Sequence, residues 1–310
     1  MFLRTLVALL CACLAAAPAL AQDSGFYASA EASYYAIQLP DYAPMALSTG
    51  FMEYRDTRKV HDGFVDGPLG QLTLGWKTES GVFFEARGFT ASPESTEDHT
   101  LSLPAGVAGS GMFRLNGGGS TMFGSGTATS TKLEMDQYGG ELLAGYEIPI
   151  SESLSLSPFA GYYFLELDQT YTERAALLVA PAMAFNRREE LDTTYHGLEA
   201  GARLDYHGES VRARLAGTLG WAYARSGYRG QDWGFIDDSL SLNHSDWGAL
   251  ARLEGGVDLP LGAWTLGLDA GVEYLSYVPG IRASEALVPT SIRSCDSVSG
   301  KVGLNLGYAF

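Results

Sequence analysis

The chain has 310 residues, 46% of them hydrophobic and 18% charged, with a formal net charge of −16 and a pI near 4.6. That acidity excludes a nucleic-acid partner, because phosphates need a basic surface. Mean hydropathy is zero, and past the N-terminal segment no run is apolar and long enough to cross a bilayer as a helix. A closed barrel of strands is then the only spanning structure left, since lipid satisfies no backbone polar group.

Residues 1–21 carry one early charge, Arg4, then an apolar run from Leu6, then Pro18-Ala19-Leu20-Ala21. This is the layout of a secretory signal peptide, with cleavage expected after Ala21. A lipoprotein cut before Cys13 is the alternative, but it would truncate the apolar run. Removal of the segment takes Cys11 and Cys13 with it and leaves Cys295 alone, so no intrachain disulfide is expected. Cys295 then reads as an unpaired loop thiol, with an intermolecular bridge as the alternative. Residues 22–310 are expected to form one barrel domain.

Along that domain, glycine-rich stretches of two-residue period predict about ten antiparallel strands, within a range of eight to twelve. They fall near 24–38, 68–79, 81–90, 131–149, 153–172, 190–207, 210–226, 242–260, 263–278 and 297–310. The connections alternate in length. Glu79-Ser80-Gly81, Pro149–Ser153, His207-Gly208-Glu209 and Pro260–Ala263 are short, whereas 39–67, 91–130, 173–189, 227–241 and 279–296 are long. Short turns on one rim and long loops on the other are a feature of up-and-down transmembrane barrels. A further hairpin around Met112 to Phe123 is expected inside the second long loop.

Alternation sorts the faces. Val302, Leu304, Leu306, Tyr308 and Phe310 lie on one side of the last strand, with Lys301, Gly303, Asn305, Gly307 and Ala309 on the other. Trp264 to Tyr274, Val211 to Tyr223 and Leu72 to Trp76 repeat the pattern. The polar face is rich in glycine, which fits a crowded lumen rather than a solvated surface. Two aromatic girdles are expected. Phe26, Trp76, Phe83, Tyr146, Tyr206, Trp264, Tyr308 and Phe310 would form the lower one. Tyr34, Tyr138, Tyr162, Tyr163, Tyr195, Trp221, Tyr223, Trp247, Tyr274 and Tyr277 would form the upper one.

With these features the chain resembles Gram-negative outer-membrane β-barrels, whose alternating last strand ends in an aromatic residue that the barrel-assembly machinery reads. Tyr308 and Phe310 match that signal. The resemblance implies a bacterial outer-membrane location among lipid and lipopolysaccharide. Ten strands with long outer loops are similar to the omptin proteases, and also to ten-stranded adhesins and autotransporter barrels. Omptins activate water between an aspartate pair and an Asp/His pair at the outer rim. Here the rim after the third strand reads Phe89 to His99 without Asp-x-Asp, and after the seventh Arg225 and Arg229 stand where acid and histidine are needed. Asp205-x-His207 has the spacing but falls on the periplasmic side, and His244-Ser-Asp246 lacks a partner pair. No His-x-Ser element of the outer-membrane lipases occurs, and His244 and adjacent Ser245 would point to opposite faces. Asp237-Asp238 and the stretch from Asp56 to Asp66 could offer oxygens to calcium, but solvated acidic loops account for them. No catalytic residue, metal or cofactor is expected.

The lumen should carry Glu31, Glu85, Arg87, Glu141, Glu199, Arg203, Arg212, Arg214, Arg252, Glu254, Asp269, Glu273 and Lys301. Nearly balanced signs predict ion-pair networks that plug a narrow barrel. The expectation is a non-enzymatic envelope or surface-binding barrel with acidic outer loops. A small cation-preferring channel is the alternative, and an omptin-like protease or other surface hydrolase is the third reading.

Overall fold

The computed structural model describes residues 25–42, 46–48, 53–54, 63–100, 109–117, 120–123, 126–177, 180–234, 237–284 and 288–310. The signal-peptide expectation for residues 1–21 lies outside them, as does most of the acidic stretch from Asp56. Sixteen strands are described: β1 (Gly25–Gln38), β2 (Ala46–Ser48), β3 (Glu53–Tyr54), β4 (Phe64–Lys77), β5 (Val82–Ala91), β6 (Glu94–Thr100), β7 (Gly109–Phe113) and β8 (Ser120–Phe123), then β9 (Ala128–Tyr146), β10 (Ile148–Ser151), β11 (Leu154–Leu177), β12 (Ala180–His207), β13 (Arg212–Gly234), β14 (Asp238–Leu261), β15 (Trp264–Arg282) and β16 (Ser291–Ala309).

Ten of them close a ring in the order β1-β4-β5-β9-β11-β12-β13-β14-β15-β16, and β16 returns to β1. Every neighbouring pair is antiparallel. β6 replaces β5 against the upper half of β9 after Pro93, which cannot donate to a ladder. β10 adds a rim hairpin to β11. The expected hairpin near Met112 is present as β7–β8, but it joins β2 and β3 in a separate four-stranded sheet instead of extending the barrel.

The strands that close the barrel differ widely in length. β5 has 10 residues, whereas β11 and β14 have 24 and β12 has 28. A tilted spanning strand needs about 9–11 residues, so the wall from β9 to β14 projects far beyond a bilayer. The outward face shows where the bilayer ends. From Tyr206 up to His196 on β12 it reads Leu204, Ala202, Ala200, Leu198, and then turns to Thr194, Asp192, Glu190 and Arg188. On β13 the change falls between Tyr223 and Arg225, on β11 between Phe164 and Glu166, and on β9 between Tyr138 and Asp136. Below this line the outward positions of the closing strands carry no charge. Leu198 and Leu219 are 70% and 71% exposed there, which only lipid would tolerate as a continuous band.

Three loops expected to be long, at 173–189, 227–241 and 279–296, are instead mostly strand. Their polar outward residues hid an alternation that continues inside, as in Phe185, Arg187, Glu189 and Leu191, all buried. The aromatic girdles also need correction. Phe83, Tyr163, Tyr195 and Tyr277 are at most 2% exposed and fill the interior. They stand at the right height but on the inward parity of their strands, which a height argument ignores.

Candidate functional site

The lumen is filled in two layers of different chemistry. At membrane level the inward residues are charges spaced by glycine. Glu85 lies 2.7 Å from Arg203 and 2.9 Å from Arg87, and accepts a hydrogen bond from the Tyr27 hydroxyl at 2.5 Å. Arg87 also reaches Glu141 at 3.4 Å and Glu254 at 3.6 Å. Arg252 pairs with Glu273 at 2.7 Å and with Glu141, and stands 4.0 Å from Glu199. Lys301 bridges Glu31 and Glu254, each at 3.1 Å. Arg214 pairs with Asp269 at 2.5 Å. Twelve of the thirteen expected lumen charges are thus brought together across opposite walls. Arg212 is not, because it lies exposed at the lower end of β13.

Glycine makes this crowding geometrically feasible. A Cβ on Gly145 would lie 2.3 Å from the Phe83 ring, and one on Gly201 would lie 2.6 Å from Phe159. Arg203 stacks 5.0 Å over the Phe83 ring and Arg252 5.9 Å over Tyr163, so both guanidiniums are covered on their faces as well as paired at their edges. A cavity of about 60 Å³ remains among Tyr35, Gln71, Arg87, Glu141, Arg252 and Lys301. That is room for a few water molecules and no more.

Above the membrane the interior changes to a packed apolar core of the kind found in soluble domains. Leu133, Met135, Leu165, Leu167, Leu191 and Leu250 belong to it, with Tyr35, Tyr163, Tyr195, Tyr228 and Tyr277. Two segments enter the mouth to complete it. Residues 39–42 fold inward, held by Ser297 Oγ donating to the Gln38 carbonyl at 2.6 Å and by Arg293 donating to the Asp41 carbonyl. The Tyr42 ring then lies 4.4 Å from that of Tyr171. The upper half of β15 also leans in. Tyr195 donates to the Tyr277 carbonyl and Gln169 to the Pro279 carbonyl, both at 3.2 Å.

A second charge cluster, which sequence reading missed, sits inside this upper core. Arg187 donates to both Asp232 oxygens at 2.7 and 2.9 Å. Tyr228 donates to Glu189 at 2.5 Å, and Tyr42 donates to the same carboxylate. Glu173 lies directly across from Arg187 in the β11–β12 ladder, yet neither of its oxygens has a partner. Burial first, then Glu189 and Asp232, push its carboxyl up to about 8, against the pull of Arg187. The signal was a charge on the inward parity of each of three neighbouring strands.

The outward wall carries another feature missed in sequence. Asp136, Asp168 and Asp192 are direct cross-strand neighbours on β9, β11 and β12. Asp136 accepts from Ser92 and Asp192 from Arg229, both at 2.7 Å. Asp168 is pushed up to about 6 by partial burial, then by Asp192, Glu166 and Asp136. Among the described residues no group of three or more His, Cys, Asp or Glu is arranged to hold a metal ion.

The residues considered for catalysis do not assemble. His207 is at the lower rim, 3.2 Å from a buried Ser155 hydroxyl. His244 is on the outer part of β14 with its ring 6.3 Å from Tyr277. Asp238 binds the Asn116 side chain at 2.6 Å and backbone N–H at 3.2 Å. Cys295 is half-buried, and burial raises its thiol. At the other end of the chain, the Phe310 N–H donates to the Phe26 carbonyl at 2.9 Å and its ring packs 4.8 Å from Tyr308.

No protein-family model matches the sequence, and no curated protein matches it. Solved structures do match the fold. The outer membrane protease OmpT from Escherichia coli aligns over 95% of this chain and 99% of its own, at 12% identity and a TM-score of 0.50. The translocator domain of the autotransporter NalP from Neisseria meningitidis aligns over 92% and 89%, at 10% identity and a TM-score of 0.41. A Pseudomonas aeruginosa FadL homologue aligns at 8% identity and a TM-score of 0.29. With its lipid-facing band and closed ten-strand ring, the chain has the fold of an outer-membrane β-barrel.

Proposed function

We propose that this protein is an integral outer-membrane barrel without catalytic activity, whose lumen is closed and whose extracellular surface does the binding or envelope-supporting work. The observation that carries the reading is the double filling of the lumen, by ion pairs at membrane level and by an apolar core above it. A protease of the same fold would need an open groove at the outer rim for its substrate and a positioned water. Here that space holds Tyr42, Tyr171 and Tyr228, all at most 1% exposed. Export by a signal peptide ending near Ala21, and insertion guided by Tyr308 and Phe310, belong to the same proposal.

A small cation-preferring channel is the second reading. It draws on the cavity beside Glu141 and on Glu199, whose oxygens have no hydrogen-bond partner. Hydrolysis of a surface substrate is the third, drawing only on a shared fold. Liposomes containing the refolded protein should swell in isotonic small sugars no faster than empty ones, and a library of quenched fluorescent peptides should remain uncut. Swelling would favour the channel, and cleavage abolished by one rim carboxylate substitution would favour the enzyme.

A further inference from the structure

Above Leu250 the ring of strands is open on one side among the described residues. β14 pairs with β13 from Asp238 to Asp258, but with β15 only from Leu250 to Leu261. The upper half of β15 has moved inside the barrel. A Cβ on Gly248 would lie 3.0 Å from that of Tyr277, and β15 is buried almost throughout from Tyr277 to Ser284. A register shift against β16 between Leu275 and Val278 marks the bend. Residues 238–249 of β14 are therefore an edge strand standing outside the membrane.

Its free backbone groups can be identified. In an antiparallel strand the N–H and C=O of one residue point to the same side, and successive residues alternate. The Ala249 N–H donates to Ser276 Oγ at 2.7 Å, so odd-numbered residues face the gap. The Ser239 carbonyl, of the same parity, accepts from Asn116 Nδ2 at 2.9 Å. Between these capped ends, Ser241, Asn243, Ser245 and Trp247 direct donors and acceptors at the gap with no backbone partner among the described residues. Edges that must stay free are usually blunted by lysine, proline or a bulge. The facing strand is blunted by Pro279, whereas Leu240 to Trp247 contains none of these devices.

We propose that the Ser241–Trp247 edge of β14 is a strand-addition site for an extended segment of another protein, carrying apolar residues at alternate positions. The proposal rests on the surface-binding reading and names where that binding takes place. Unpaired N–H and C=O groups in a row are satisfied by another strand and by little else. The alternation follows from the two faces. Leu240 and Leu242 point inward and pack against the apolar core of the mouth, so an added strand meets apolar neighbours on that side. Outward it continues the row of Ser241, Asn243 and Ser245, whose neighbours on β13 are Arg229, Gly227 and Arg225. Neutral or acidic outward residues fit there.

A second copy in the same membrane fits poorly. Rotation about the membrane normal leaves both edges running in the same sense, and with strands tilted by about 40° they would cross too steeply to pair along a ladder.

Amide hydrogen exchange of the refolded protein in nanodiscs tests the site, with a capped nonapeptide of alternating threonine and valine as the probe. At saturation, exchange at Ser241, Asn243, Ser245 and Trp247 should slow by about tenfold or more, as expected for newly formed strand hydrogen bonds. Exchange at Leu242 and His244, which bond β13, should not change. Asn243→Pro and Ser245→Pro remove donors that face the gap, so both variants should fold with the heat-modifiable gel shift yet bind the peptide at least about tenfold more weakly. Three results would each overturn the site: the four amides slow in the peptide-free monomer, they slow only in a cross-linked dimer, or the peptide leaves them unprotected. Exchange in the unsubstituted protein decides the matter even if a proline variant misfolds. Conductance or peptide cleavage would instead sink the closed-barrel reading and leave these exchange rates as they are.

Discussion

Glu173 shows what a single residue has to tolerate inside the upper barrel. It is about 1% exposed, has no hydrogen-bond partner, and shares its surroundings with Glu189 and Asp232, against the one positive charge of Arg187. Its carboxyl titrates near 8 in the folded protein and near 4.5 when unfolded. The folded state therefore holds the extra proton between those values, and the stability contributed by Glu173 is full below pH 4.5 and lost as pH rises through 8. The unfolding midpoint in urea should fall across that window, and Glu173→Gln should flatten the fall; an unchanged pH profile in the variant would count against a buried neutral acid. Asp232 behaves in the opposite way, because it neutralises Arg187 through two hydrogen bonds. Asp232→Asn leaves a buried guanidinium uncompensated and should cost about 3 kcal/mol or more by urea unfolding in detergent. The membrane-level lumen charges were legible in the sequence, since each stands on the glycine-bearing face of a plainly alternating strand. Glu173, Arg187 and Asp232 were not, because above the bilayer both faces turn polar and the two-residue period disappears from a hydropathy reading.

At the scale of elements, the ten closing strands were legible and their upper ends were not. A lipid-facing strand shows a one-sided apolar period because lipid and lumen differ so sharply. Beyond Phe164 on β11 or Tyr223 on β13 the outer face meets water, and residues such as Asp168 and Arg229 read as loop. The inward lean of β15 has a different cause: Tyr277, Val278 and Ile281 are buried within a single short stretch, so the segment has lost its polar face. Sequence alone showed that run as one more strand end. The last strand is the element on which assembly should depend. Phe310 closes β16 onto Phe26 through one backbone hydrogen bond and packs on Tyr308. Phe310→Ala should leave the stability of the finished barrel within about 1 kcal/mol while lowering the fraction inserted in cells, read from the heat-modifiable band. Equal insertion of the variant would remove the aromatic terminus as an assembly signal.

For the whole molecule, a narrow ring of ten strands spans the membrane and then continues upward as a tall wall from β9 to β14, capped from within. The fold class and the charged lumen could be read from period and composition. The apolar upper core could not, because its residues come from every strand and from the inward turn at Leu39 to Tyr42, which only the closed ring brings together. Both fillings lead to one physical consequence, the absence of a continuous water path between the two sides. Single-channel recording of the refolded protein in a planar bilayer tests that most directly. A silent membrane is expected with fully folded protein, and stable cation-selective steps would contradict the closed barrel.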